Sequence, residues 1–106
     1  MDKTAALIQN LAAFKKRLAK TMDVEKMILF GSHARRQAGQ SSDVDLILVS
    51  NDFESQRFRF RPLQLYKYWS LRLPVDFLCY TPKEFEERSR RITIVREALS
   101  HGIEIA

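Results

Sequence analysis

The most constraining stretch of this chain lies between residues 27 and 50, where two apolar runs flank a polar connection. The first run ends at Gly31-Ser32, a step at which a strand can turn into a helix. Because Gly31 has no Cβ, a phosphate can approach the backbone there, and the N–H groups of a helix start point towards it. The stretch therefore predicts an anion-binding turn directly after a strand.

Two aspartates introduce the second apolar run. Asp43 and Asp45 are separated by one residue at the mouth of a predicted strand over Val44–Val49. Since side chains alternate faces along a strand, both carboxylates project to the same side. Two carboxylates on one face repel each other unless a cation lies between them. The pair is a candidate site for a divalent metal.

A third aspartate, Asp76, lies near the start of another predicted strand, over residues 74–80. If that strand pairs beside the strand of Asp43 and Asp45, three carboxylates converge. Such oxygen ligands suit Mg²⁺ or Mn²⁺, with substrate phosphates and water completing the octahedron. Two ions roughly 4 Å apart can activate an attacking hydroxyl and stabilise a leaving pyrophosphate. Each feature alone is common at strand ends and in turns, but their conjunction predicts nucleotidyl transfer.

The hydrophobic pattern predicts an α/β sandwich in a single domain over residues 1–106. The first half of the predicted order is a helix over 4–20, a strand over 27–30, a short helix over 32–36 and a strand over Val44–Val49. A loop, a helix over about 62–71 and a strand over 74–80 follow. The next helix starts at Thr81-Pro82, where Glu84 closes a capping box, and it is followed by a helix over 92–99 that stops at Gly102 and by a small edge strand over 103–105.

Composition narrows the class of protein. No apolar run approaches the length of a membrane span and no signal peptide is visible, so we expect a soluble, cytoplasmic protein without a membrane partner. The lone Cys79 lies in an apolar run and is predicted to be a buried thiol. The net charge of +5 permits a nucleic-acid-binding module, but charge is its whole support. The basic clusters at 15–17, 57–61 and 88–91 are interpreted as solvated faces.

The quoted residues also carry a family resemblance. Residues 30–35, Phe-Gly-Ser-His-Ala-Arg, followed by 42–46, Ser-Asp-Val-Asp-Leu, resemble the signature of the DNA polymerase β-like nucleotidyltransferase superfamily. They are similar to its minimal nucleotidyltransferases (MNT), including the MntA-type antitoxins of HEPN/MNT toxin–antitoxin pairs. Residues 75–77, 81–85 and 94–99 extend the resemblance to nearly the whole chain. It implies a mixed β-sheet flanked by helices, an α/β (α+β) fold of polymerase β type.

The resemblance implies a role for each residue of the site. Two Mg²⁺ ions, or Mn²⁺ in their place, would be held by the three aspartates, and the last of these would activate the acceptor hydroxyl. The nucleotide-binding residues would be those of the two motifs, Gly31, Ser32, Arg35 and Ser42, and the metal ligands and catalytic acids would be Asp43, Asp45 and Asp76. One departure is Arg36, since the family commonly has Gly there, and its effect on the phosphate-binding loop stays open.

The implied substrates are ATP or another nucleoside triphosphate and a hydroxyl acceptor. Many MNT proteins pair with a HEPN-domain protein, a helical ribonuclease toxin, and act as its antitoxin by adding AMP to a toxin tyrosine, by masking the toxin, or both. The first hypothesis is such an enzyme. The alternatives are a non-catalytic antitoxin that docks through the aromatic stretch at 58–69, a catalytic subunit of a two-component small-molecule nucleotidyltransferase, and, last, a nucleic-acid binder. A homo-oligomer stays open.

Overall fold

The computed structural model describes residues 3–35, 43–91 and 94–106. Their regular elements are α1 (Lys3–Leu18), β1 (Lys26–Phe30), β2 (Val44–Val49), two 3₁₀ turns (Asn51–Phe53 and Phe58–Phe60), α2 (Leu63–Tyr66), β3 (Val75–Tyr80), α3 (Pro82–Ser89), α4 (Ile94–His101) and β4 (Ile103–Glu104). The strands form one mixed sheet in the order β3-β2-β1-β4. β1 runs antiparallel to both β2 and β4, whereas β2 and β3 are parallel. The predicted mixed sheet with flanking helices is confirmed.

Strand alternation divides the core into two layers. α1 presents apolar side chains at spacings of four, three and four, and they pack against the even-numbered residues of β2; these helix residues are Leu7, Leu11, Phe14 and Leu18. On the other face, Ile47 and Val49 pack with Phe85 of α3 and Val95 of α4. The odd-numbered residues of β2, including Asp45, therefore share the face that carries α3 and α4.

The chain turns sharply at the start of α3 and at the end of α4, as predicted. The Thr81 hydroxyl accepts the Glu84 N–H at 3.2 Å, and the Glu84 carboxylate accepts the Thr81 N–H at 2.8 Å, so the capping box is complete. α4 ends at His101, and Gly102 follows with its N–H donated to the Ala98 carbonyl at 2.6 Å. A Cβ on Gly102 would overlap that carbonyl, so only glycine lets the chain return to β1 there.

Two predicted helices are wrong in extent. The helix expected over 62–71 is only the four-residue α2, because the chain beyond it turns Trp69 into the α1 layer, where its ring lies edge-on to Phe14 at 5.1 Å between centroids. A short helix was expected over 32–36. The described part of it, which ends at Arg35, is a single turn in which the Arg35 N–H donates to the Gly31 carbonyl at 3.2 Å. Arg36 lies outside the described residues.

One basic residue of a cluster interpreted as a solvated face is buried. Arg61 donates to the Glu84 carboxylate, and also to the carbonyls of Cys79 and Gln56. Arg57 and Arg59 of the same cluster are exposed, as predicted. Cys79 itself is buried as predicted, and burial raises the pKa of its thiol to about 12.

In the described part of the chain no helix is both long and apolar enough to cross a membrane.

Candidate active site

Two of the predicted acids are neighbours across the parallel strands β2 and β3. Asp45 and Asp76 are paired in register, so both carboxylates project to the same face of the sheet from positions about 4.8 Å apart in the strand-to-strand direction. Asp45 is half-buried and Asp76 is exposed. Asp43 is exposed two residues before Asp45, at the mouth of β2. The expectation that the strand of Asp76 lies beside that of the first two acids is met.

The three carboxylates interact electrostatically. Burial raises the pKa of the Asp45 carboxyl above its ordinary value, and the negative charges of Asp76 and then Asp43 raise it further. The electrostatic interaction with His33 lowers the pKa of Asp45 and is the smallest of these effects. The ionised pair is therefore costly by itself, and a cation between the carboxylates would relieve the repulsion.

The turn after β1 lies directly over these acids. Phe30, the last residue of β1, is the register partner of Asp45, and Gly31 follows it with φ +76°, in the left-handed region that favours glycine. A Cβ at Gly31 would overlap the Oδ2 atom of Asp45. Glycine is thus required both by the backbone conformation and by the close approach of the carboxylate. Ser32 and His33 continue the turn and are half-buried.

Arg35 closes the turn and reaches across to α4. Its guanidinium forms an ion pair with Glu97, a residue 62 positions away in sequence. The two side chains are 44% and 58% exposed, so solvent screens the pair and it contributes little to stability. The guanidinium borders the acids and remains accessible to an anionic ligand.

A cavity of about 520 Å³ joins these parts. Asp45, Asp76, Gly31 and Arg35 line one side of it, and the apolar side chains of Phe30 and Leu78 line the sheet beyond the acids. Glu97, Ala98 and His101 of α4, with Gly102 after it, complete the lining, and Glu97 meets Arg35 there. The cavity is large enough for part of a nucleotide next to the paired carboxylates.

The comparisons with known proteins decide the family. The family model for nucleotidyltransferase domains matches residues 9–101, which is most of the chain. The chain belongs to the nucleotidyltransferase domain family. The predicted resemblance to the nucleotidyltransferase superfamily is thereby confirmed, and the domain is a transferase of nucleotidyl groups. The MntA-type subgroup and the HEPN partner stay predictions.

One solved structure adds support for the fold of this nucleotidyltransferase domain. It is the crystal structure of a candidate nucleotidyltransferase from Sulfolobus solfataricus, which is similar with a TM-score of 0.67 over 95% of this chain and 80% of that chain. The two sequences are 16% identical, so the likeness supports the fold alone. A search of the curated proteins found no match.

The described donors of the nucleotidyltransferase domain fit a magnesium ion that arrives with its substrate. Within residues 3–35, 43–91 and 94–106, no three His, Cys, Asp or Glu side chains are arranged to hold a metal ion. Mg²⁺, however, is usually bound by one or two carboxylates together with substrate phosphates and water. The mutually repelling pair of Asp45 and Asp76, with Asp43 beside it, supplies that donor set. The magnesium assignment of these three acids stays a prediction.

The structure also places residues in the site that sequence reasoning missed. Glu97 and His101 line the cavity from one face of α4, at a spacing of four residues. Their spacing was visible in the sequence, but nothing in it linked α4 to the turn at Arg35. Of the predicted nucleotide-binding residues, Gly31, Ser32 and Arg35 lie on one turn above the acids, whereas Ser42 lies outside the described residues.

Proposed function

We propose that this domain transfers AMP from ATP to a hydroxyl group in a magnesium-dependent reaction, and that the acceptor is a tyrosine of a partner HEPN-domain toxin. The observation that carries the chemistry is the register pair of Asp45 and Asp76 beneath the turn at Gly31. The family match supports nucleotidyl transfer in general. The identities of the nucleotide and of the partner rest on the resemblance of the two motifs.

In this proposal the turn binds the triphosphate. The backbone of Gly31 and Ser32 offers N–H groups without a Cβ in the way, and Arg35 adds a guanidinium whose charge-assisted hydrogen bonds suit phosphate oxygens. Asp45 and Asp76, with Asp43 beside them, would hold Mg²⁺, which would neutralise charge on the triphosphate and on the leaving pyrophosphate. Phe30 and Leu78 give the cavity apolar lining beside the reacting phosphate.

The transfer step is a direct displacement. The acceptor oxygen forms a bond to the α-phosphorus, while the bond from that phosphorus to the oxygen bridging the α- and β-phosphates breaks. Pyrophosphate leaves with the electron pair of that bond. A carboxylate oxygen of Asp76 accepts the proton of the hydroxyl and passes it to solvent. The exposed position of Asp76 supports this role because a hydroxyl on a large acceptor can reach it.

The decisive experiment follows the α-phosphate. The protein is incubated with ATP labelled at the α-phosphate, Mg²⁺ and the purified product of the neighbouring gene. Wild type should label a tyrosine of that protein, and Asp45→Asn or Asp76→Asn should lower transfer by about 10²-fold or more because the charged donor set is broken. Glu86→Gln, which removes an exposed carboxylate on α3, is the matched control. Equal transfer by the Asp variants would refute the catalytic assignment.

A second candidate function is neutralisation by binding alone. The observation favouring it is the exposed set of large apolar side chains between the second 3₁₀ turn and α2, namely Phe58, Phe60, Leu63 and Tyr66. Here the double variant Asp43→Ala/Asp45→Ala should still protect cells from the partner toxin and still form the complex. Loss of protection while the complex forms normally would argue for the enzyme instead.

A further inference from the structure

Exposed apolar side chains are concentrated on one short segment. Five large hydrophobic residues are exposed among those described, and four of them fall within nine residues; they are Phe58, Phe60, Leu63 and Tyr66, with Leu63 the most open at 64%. We call residues 57–67 the edge strip. Single exposed apolar residues need no explanation, but a contiguous group of them marks an interaction surface.

The edge strip runs along the outer edge of the sheet towards the acids. β3 is an edge strand in the order β3-β2-β1-β4. Phe58 packs against Tyr80 with ring centroids 5.4 Å apart, Arg61 donates to the Cys79 carbonyl, and Tyr66 packs against Phe77 at 5.2 Å. These contacts follow β3 backwards from its last residue towards Asp76. A chain bound along the strip would therefore end beside Phe77, the residue that follows the acid proposed to receive the acceptor's proton, and its hydroxyl would reach Asp76 around the edge of the sheet.

The strip is anchored to the rest of the fold in spite of its exposed side chains. The buried Arg61 guanidinium joins it to the Glu84 carboxylate, with Nη1 to Oε1 at 2.6 Å, and to two backbone carbonyls. Leu65 of α2 is fully buried in the α1 layer. A preorganised surface loses little conformational entropy when a partner binds, which favours its use as a docking platform.

The charge of the strip identifies the chemistry of its partner. No Asp or Glu occurs between Glu54 and Asp76, whereas five Lys and Arg residues lie there. The rest of the chain holds 13 basic and 13 acidic residues, so the whole net charge of +5 belongs to residues 55–75, which contain the strip. Three of the five cations, Arg57, Arg59 and Lys67, are exposed on the strip itself. An apolar surface flanked by cations is complementary to a segment that mixes apolar and acidic side chains.

We propose that the edge strip is the docking surface for an acidic, aromatic-containing segment of the protein that supplies the acceptor hydroxyl. The docking itself does not depend on catalysis, and only its placement of the hydroxyl at Asp76 rests on the proposed function. A nucleic acid fits the strip less well, because the Arg59 guanidinium covers the Phe60 ring at 4.8 Å and leaves that face closed to a stacked base. A second copy of this chain would oppose two basic strips, which repel each other.

The proposal is tested with a fluorescently labelled copolymer of Glu and Tyr, which carries acidic groups and aromatic hydroxyls. Binding is followed by anisotropy without ATP or magnesium at an ionic strength of about 0.15 M, where surface charges are screened beyond about 8 Å. The copolymer should bind saturably, and a copolymer of Lys and Tyr should not. Phe60→Ser/Leu63→Ser and Arg57→Ser/Arg59→Ser should each weaken Kd about tenfold or more, the range expected for central contacts of an interface.

The matched control is Arg90→Ser/Arg91→Ser, which removes the same charge from the end of α3. Its Kd should stay within about twofold of wild type if only the strip binds the copolymer. Circular dichroism establishes that each variant folds. The proposal is overturned if the control weakens binding as much as the strip variants, or if Phe60→Ser/Leu63→Ser has no effect, since binding then follows net charge alone. Strip-dependent binding of poly(U) in place of the copolymer overturns it in favour of RNA.

Docking and catalysis can fail separately. Transfer of labelled AMP to the tyrosines of the copolymer is measured beside the binding. Strip variants should raise KM for the copolymer about tenfold while the Kd for ATP is unchanged, because the strip lies outside the cavity. Strip-dependent binding without transfer would support the docking surface and count against the proposed acceptor chemistry. Transfer with KM values unaffected by the strip variants would support the enzyme and overturn the docking surface.

Discussion

Two arginine–glutamate pairs of this domain have the same chemistry and opposite surroundings. In the pair of Arg61 and Glu84, the arginine side chain is 6% exposed, and it also donates to two backbone carbonyls. In the pair of Arg35 and Glu97 both side chains are largely exposed at the rim of the cavity. A buried cation must be fully paired to be tolerated, whereas an exposed pair is screened and easily exchanged. The first pair is therefore structural, and the second is available to a substrate.

The largest effect that separates the two pairs should be on stability. Arg61→Ala removes a buried cation and leaves the carbonyls of Cys79 and Gln56 without their donor. We expect the free energy of unfolding to fall by about 3 kcal/mol, measured by urea denaturation. Arg35→Ala is the control and should change it by less than about 1 kcal/mol. If Arg61→Ala and Arg35→Ala lower the free energy of unfolding equally, the two pairs do not differ in their contribution to stability.

The next effect concerns the turn that carries Arg35. Gly31→Ala should lower the free energy of unfolding by roughly 1–2 kcal/mol through its positive φ alone, with a further loss from the overlap with Asp45. The further loss should disappear when Gly31→Ala is made in an Asp45→Ala background, because the overlapping carboxylate is then absent. If the cost of Gly31→Ala is the same in both backgrounds, the close approach to Asp45 is not what requires glycine.

The exposed pair should affect nucleotide binding more than folding. Arg35→Ala should weaken ATP binding about tenfold, which corresponds to the loss of one charge-assisted hydrogen bond. Glu97 and the triphosphate compete for the same guanidinium, so Glu97→Gln should tighten binding by a few-fold. Isothermal titration with a non-hydrolysable ATP analogue and Mg²⁺ measures both. Weaker binding in both variants would mean that Glu97 positions Arg35 and does not compete for it.

The two pairs also show which features of the fold and the site could be predicted from the sequence. The alternation of side chains along strands was enough to predict that Asp43, Asp45 and Asp76 share a face once their strands are neighbours. The turn at Gly31 followed from the absence of a Cβ after an apolar run. The burial of Arg61 was not predictable, because it depends on a free carbonyl of the edge strand β3 and on a carboxylate of α3 that only the tertiary fold brings near. The same holds for Glu97, since no local pattern connects it to Arg35.

The smallest expected effects distinguish the carboxylates of the two regions by the sign of their pH dependence. The hydrogen bond from Arg61 is the main cause that holds the pKa of Glu84 below its ordinary value of 4.5. A lowered pKa means that this carboxylate stabilises the fold above about pH 4.5 and that the stabilisation is lost as the pH falls through its folded value. Glu84 is 40% exposed and the Gln amide oxygen can still accept from Arg61, so Glu84→Gln should lower stability at pH 7 by only about 1 kcal/mol.

At Asp45 the sign is reversed. Its pKa is raised above 3.8, first by burial and then by the charges of Asp76 and Asp43, so its ionised form destabilises the fold above that pH. In the absence of magnesium, Asp45→Asn should therefore raise stability at pH 7 by a few tenths of a kcal/mol to about 1 kcal/mol. Urea midpoints at pH 7 and near pH 3.5 measure the stability of Glu84→Gln and of Asp45→Asn relative to wild type. Both differences should be smaller at the lower pH. If Asp45→Asn lowers the free energy of unfolding at pH 7, the Asp45 carboxylate stabilises the fold, as the Glu84 carboxylate does. The interpretation of Asp45 as a destabilising group that a cation would relieve would then be wrong.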